Sequence, residues 1–210
     1  AAIADATREI ISSGVVPILI GGDDSTPISF IEATAEAGPV TILQIDAHID
    51  WREEVDGERF GFSSTMRRAS EFPNVQRIVQ VGARGPGSAR QSDFEEAQDW
   101  GVKFITARML HLDGIDQVLE EIPADDNVIL TVDVDGLDPS VVPGVILPAF
   151  GGLTYNQMLE LIISVSEKAN IIAGNFVEYV PERDQTGIGA GAIARIICNT
   201  ISASTPVARK

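Results

Sequence analysis

The chain is poor in the residues that several other kinds of protein require. Among 210 residues there is one cysteine, Cys198. That excludes an internal disulfide framework and a thiolate metal cluster; Cys198 itself reads as a small core residue on the last helix. Lysines and arginines number 15 against 31 aspartates and glutamates, a formal net charge of −16. This balance argues against a nucleic-acid surface, whereas cations, metallic or organic, are drawn in. No run of about 18 apolar residues occurs, so no segment reads as a membrane span. The opening AAIADATREIISSG lacks a basic start and a continuous apolar stretch, so it reads as an amphipathic helix and not as a signal peptide. With the single cysteine, this points to a cytoplasmic protein. No Ser/Gly linker, composition break or internal repeat divides the chain, so the reading is one domain over residues 1–210.

What is present is an alternation of apolar runs with helical patterns. Hydrophobic residues make up 44% of the chain, enough for a full core. A buried strand is expected at 15–20, and further strands at 39–46, 77–84, 102–107, 127–135 and 170–180. Besides the opening helix, helices are expected at 29–38, 64–72, 92–101, 113–122, 153–169 and 187–202. Ser92, with Glu95 three residues on, reads as a capping box. Residues 51–62 have no apolar period and read as a long loop. Alternating strands and helices imply an α/β fold, a mostly parallel sheet covered by helices on both faces. In such sheets, ligands bind beyond the carboxyl ends of the strands.

Three acidic clusters stand at such ends. They are Asp23 and Asp24 in GGDDS, then Asp46, His48 and Asp50 in IDAHID, then Asp133 and Asp135 in TVDVDGLDP. Carboxylates converging in a low-dielectric site repel one another unless a cation neutralises them. Each cluster alone has a plain reading as a solvated strand end or turn; three together behind apolar strands predict a divalent-metal site, with two ions. Oxygen donors with one imidazole suit Mn²⁺ or another borderline-hard ion. Paired ions of that kind activate water near neutral pH, the chemistry of a hydrolase. The glycines of GGDDS invite a phosphate-loop reading. The spacing is wrong for one, no lysine is adjacent, and the two aspartates would repel phosphate.

These segments, in this order, resemble the ureohydrolase family of arginases and agmatinases. The matching runs are GGDDS at 21–25, DAHID at 46–50, TVDVDGLDPSVVPG at 131–144, GGLT at 151–154 and FVEYVPERD at 176–184. The resemblance implies a three-layer αβα fold, two Mn²⁺ ions (Ni²⁺ as the alternative) and hydrolysis of a small guanidino substrate to urea and an amine. It implies that Asp46 and Asp133 bridge the ions. Asp24 and Asp50 complete one shell, His48 and Asp135 the other. Glu178 faces the guanidinium as a charge-assisted partner, and Asp135 or a water hands a proton to the leaving amine. Trp51, directly after the metal run, is a candidate for stacking on the guanidinium. Homo-oligomers, trimeric or hexameric, are implied as well.

The chain also departs from the family pattern. Asp24 stands where the family has a metal-binding histidine. Five aspartates with a neutral histidine give −5 against +4 from two divalent ions, so the ions become weaker Lewis acids. The loop in which the family carries a proton-handling histidine reads GFSST at 61–65, and His111 lies on another segment as a surface or packing residue. Ala149 and Phe150 stand where agmatinase-like members carry a glutamate, which predicts a less polar pocket wall. The position just before Glu178's strand end is Asn175, where the family is acidic. Only twenty residues precede GGDDS, where the family has a further strand. These departures keep two other readings open: a related C–N hydrolase acting on a formimino substrate, and a catalytically silent paralogue with a structural or regulatory role.

Overall fold

A computed structural model describes residues 2–87 and 89–206. Six parallel strands form one sheet: β1 (Ile18–Ile20), β2 (Val40–Ile45), β3 (Val75–Val81), β4 (Lys103–Ile105), β5 (Asn127–Asp133) and β6 (Asn170–Val177), in the spatial order β1-β6-β5-β2-β3-β4. From β2 the chain steps outward through β3 to β4. It then returns to the other side of β2 as β5 and steps outward again to β6. The strand order therefore reverses between β2 and β5, the place where an open α/β sheet leaves a crevice for ligands.

Side chains along each strand alternate between two apolar layers, as the two-residue period requires. Leu43, Ile45, Val128, Leu130 and Val132 pack against α5 (Ala107–Asp113), α6 (Asp116–Glu120), α7 (Tyr155–Lys168) and α8 (Ile188–Ala203). Val40, Ile42 and Ile129 face the other way. They pack with residues of α2 (Thr26–Glu32), α3 (Thr65–Ala69) and α4 (Gln91–Trp100). The opening helix, α1 (Ala2–Ser12), lies against α2. The three-layer αβα architecture read from the sequence is the one observed. Among the described residues no helix is long and apolar enough to cross a membrane.

Several elements differ from expectation for local reasons. β1 is an edge strand of three residues paired only with β6, so Ile20 is 65% exposed and the strand is not buried. The helix expected at 29–38 starts earlier, with Pro27 in its first turn where a missing N–H costs nothing. It ends at Glu32, and a 3₁₀ turn follows at Ala35–Ala37. Ser92 lies inside α4, and Asp93 instead accepts a hydrogen bond from the backbone N–H of the cap residue Arg90 at 3.3 Å. α5 is an additional helix capped by Thr106, whose hydroxyl accepts from Met109 N–H at 3.2 Å. Cys198 is exposed on α8 and is not a core residue.

At the crevice, the turn after β5 passes very close to the end of β2. A Cβ on Gly136 would lie 2.6 Å from Asp46 N and 2.8 Å from Ile45 C. Neither backbone can move without shifting the strand end. Gly136→Ala is therefore expected to cost about 2–4 kcal/mol, the range of forced overpacking, measured by urea unfolding. Wild-type stability in that variant would contradict this packing.

Candidate metal and substrate site

Asp46, at the end of β2, is almost fully buried. Its Oδ1 accepts from His48 N–H at 2.6 Å, which turns the chain so that the imidazole comes back over the carboxylate. Asp133 closes β5 in the same way, its Oδ1 accepting from Asp135 N–H at 2.9 Å. The two strand ends are then joined: Asp135 Oδ1 accepts from Ala47 N–H at 3.1 Å. After β1, Gly22 adopts φ +84°, a conformation that strains any other residue. The turn brings Asp24 under Glu178, whose Oε1 accepts from Asp24 N–H at 2.8 Å. Asp50 and Glu178 themselves have φ of 45° and 65°. Each is a non-glycine residue held left-handed, a cost that surrounding structure must offset and that concentrates at functional sites.

These turns gather the predicted side chains into two adjoining trios. Ligand atoms of Asp46, His48 and Asp135 lie within 4.8 Å of one another, and so do those of Asp24, Asp46 and Asp50. Asp46 belongs to both. Asp133 belongs to neither trio, although its charge acts on Asp24 and Asp46. Asp23 lies at the pocket edge with its Oδ1 accepting from Ser25 N–H and Oγ.

The electrostatics are those of anions crowded together. Burial, reinforced by the charges of Asp46 and Asp133, pushes the Asp24 carboxyl well above the usual range. Burial likewise raises Asp46, Asp50 and Asp133, each with help from a neighbouring aspartate. His48 is pushed up to about 11, because its Nδ1 sits 3.2 Å from Asp135 Oδ2 and 3.4 Å from Asp46 Oδ1. Glu178 is raised by burial, with Asp23 and Asp135 adding to the shift and Asp24 N–H opposing it. Both carboxylate oxygens of Asp24 are buried without a hydrogen-bond partner. An oxygen-rich donor set with one imidazole, an orphaned buried carboxylate and mutual repulsion together fit divalent cations.

Three polar residues that the motif reading did not pick out support this cluster. Gln44, inside β2, donates through Nε2 to Asp46 Oδ2 at 2.7 Å and Asp50 Oδ2 at 3.2 Å. Gln80, on β3, donates to the Gln44 carbonyl and to Ile49 O. Arg84 donates to the carbonyls of Asp135 at 2.6 Å, Gly136 at 3.2 Å and Ala149 at 2.7 Å. For Gln44 the available signal was a lone amide in the apolar run of β2; Gln80 shares β3 with Gln76 and Arg77 and did not stand out. Arg84 had none, because its role is to bind backbone.

Other expectations are relocated. Trp51 is 1% exposed: its ring packs 6.1 Å from Trp100, and the guanidinium of Arg67 lies 5.9 Å above it. It also lines the pocket, between Asp50 and Arg52. In GFSST, Phe62 and Ser63 line the pocket, and the hydroxyl of Thr65 donates to Asp24 O. Asn175 is fully buried behind the site, donating to Thr131 Oγ1 at 3.1 Å. Phe150 is 84% exposed and does not line the pocket; Val145, Ile146 and Leu147 form its apolar wall instead. His111 packs in the α5–α7 region, its Nε2 meeting Gly152 O at 3.0 Å and its Nδ1 accepting from Gln157 Nε2 at 3.2 Å.

Comparison with known proteins shows the family. Residues 1–202 match the family model described as the Arginase family. The chain is 31% identical over 206 residues to the mitochondrial agmatinase of Gallus gallus, covering 93% of this chain and 60% of that protein. It is 30% identical to a guanidinobutyrase of Pseudomonas aeruginosa, covering 90% and 62%. Among solved structures, formimidoylglutamase from Bacillus subtilis superposes with a TM-score of 0.84 at 26% identity, covering 96% of this chain and 65% of that one. Agmatine ureohydrolase of Thermoplasma volcanium gives 0.84 at 27%, covering 96% and 67%. The chain thus spans about 60% of the length of these curated relatives.

A carboxyl whose pKa is raised by folding binds more protons folded than unfolded, so it opposes folding as pH rises past the ordinary carboxylate range. His48 acts in the same sense: its contribution is complete below its ordinary value of 6.5 and is lost as pH climbs towards about 11. The metal-free protein is therefore expected to melt at a lower temperature at about pH 8 than at about pH 5, and added Mn²⁺ to raise the melting temperature more at about pH 8. Calorimetry at both values checks this. Equal stabilisation by Mn²⁺ at both would contradict it.

Proposed function

From the premise that the chain belongs to the arginase family, we propose that it hydrolyses the guanidino group of a small cationic substrate to urea and an amine, using two divalent ions, Mn²⁺ before Ni²⁺. The observation that carries the reading is the pair of trios sharing Asp46 at the β2/β5 crevice. Asp46, His48 and Asp135 would hold one ion, and Asp24, Asp46 and Asp50 the other, with Asp133 beside them as a second shared carboxylate. Bound there, the ions would supply charge neutralisation and the Lewis acidity that makes water nucleophilic near neutral pH.

The remaining work falls to this chain's own groups. Glu178 is held left-handed at the end of β6, with one oxygen on Asp24 N–H. Its other oxygen is available to a guanidinium N–H, a charge-assisted bond that fixes the planar group over the acidic floor. Asp135 would pass a proton to the departing amine nitrogen. Gln44 and Gln80 hold the Asp46 and Asp50 carboxylates from behind, so that these keep one orientation. The cavity of about 320 Å³ above them is of small-molecule size.

The test is product analysis with a panel of guanidino and formimino compounds and several divalent metals. Urea is expected; formamide or ammonia without urea would favour the formimino reading. Glu178→Gln is expected to lower kcat/KM by about 10²-fold or more, with metal content unchanged. Wild-type turnover in that variant would remove Glu178 from the substrate site.

A further inference from the structure

We infer that the substrate carries its guanidino group on an uncharged apolar tail: an alkyl- or aralkylguanidine, and not a guanidino compound ending in an ammonium or a carboxylate. The inference rests on the amidinohydrolase reading and names the substrate class of that same site.

The cavity is divided by depth. Its floor is acidic and buried, with Asp24 at 2% exposure. Its outer part is walled by Phe62, Ile146 and Leu147, which are 57%, 52% and 63% exposed. Single exposed apolar side chains are ordinary, but three around one cavity mouth mark a surface that an apolar group would cover. The wall is also held in place. Arg183 Nη1 donates to Val145 O at 3.1 Å and Ile146 O at 2.6 Å. Beyond Leu147, Arg84 holds Ala149 O, and Asp138 accepts from Gly151 N–H at 2.9 Å.

The charged groups that could receive a polar tail are already engaged. Apart from His48 among the floor carboxylates, Arg52 is the cation among the described lining residues, and its Nη1 lies 2.8 Å from Asp93 Oδ2. A distal carboxylate would have to share that guanidinium with Asp93. Asp23, exposed at the pocket edge, has its Oδ1 turned back onto Ser25 N–H and Oγ, and its charge acts on Glu178. A distal ammonium lying against Phe62, Ile146 and Leu147 would lose hydration without gaining a partner from that wall. In the reaction, water adds at the guanidino carbon. The bond from that carbon to the tail-bearing nitrogen breaks and this nitrogen takes up a proton, leaving urea and an apolar amine.

The experiment is calorimetric titration of the Mn²⁺-loaded chain with ethyl-, butyl-, pentyl- and hexylguanidine, agmatine and 4-guanidinobutyrate, with urea measured in parallel. Affinity is expected to rise about threefold per methylene. Pentylguanidine, in which a methyl replaces the ammonium of agmatine, is expected to bind at least about tenfold tighter than agmatine. In Ile146→Asp and Leu147→Asp that order should narrow or invert. Agmatine or 4-guanidinobutyrate binding as tightly as pentylguanidine, or affinity independent of tail length, would overturn the inference. If no compound yields urea while affinity still follows tail length, the amidinohydrolase reading fails and the tail preference stands. If urea forms fastest from agmatine, only the tail preference falls.

Discussion

Carboxylates buried side by side cannot all stay ionised without a cation, and the rest of this molecule is arranged around that constraint. Asp24, Asp46, Asp50 and Asp133 are each driven towards the protonated form by burial and by one another. In the metal-free chain, His48 answers part of the charge by holding a proton between Asp46 and Asp135. That proton occupies the position from which the imidazole nitrogen would bind a cation. Proton and metal therefore compete for the same site.

Holding such a cluster together requires a scaffold that cannot relax. The sheet places the ends of β2 and β5 side by side where the strand order reverses, and Gly136 lets their backbones approach closer than any side chain permits. Gln44 and Gln80 form a buried amide relay that fixes the Asp46 and Asp50 carboxylates from within the sheet. Arg84 ties the turn after β5 to the segment that carries the apolar wall. The acidic floor and the segment of the apolar wall thus share Arg84 as a support.

Most of this was legible in the sequence because it follows from local pattern. Apolar runs ending in aspartates disclosed both the parallel sheet and the position of the site at its carboxyl edge. Residues that act through tertiary geometry were not legible. The edge position of β1 depends on which strands pair, and α5 is too short for its periodicity to stand out. Trp51 follows a metal run and lines the pocket, but its packing against Trp100 and Arg67 depends on residues distant in sequence. The less polar wall was anticipated at Ala149 and Phe150. It is built instead by Val145, Ile146 and Leu147, because the backbone turns Phe150 out to solvent.

Asp24 is the residue on which the account turns, since both of its carboxylate oxygens are buried and unpartnered. Anomalous scattering from crystals grown with excess Mn²⁺ tests its role most directly. The account predicts two peaks, one among Asp46, His48 and Asp135 and one among Asp24, Asp46 and Asp50, with an Asp24 oxygen in contact with the second. A fully folded chain with no peak at either trio in saturating metal would contradict it.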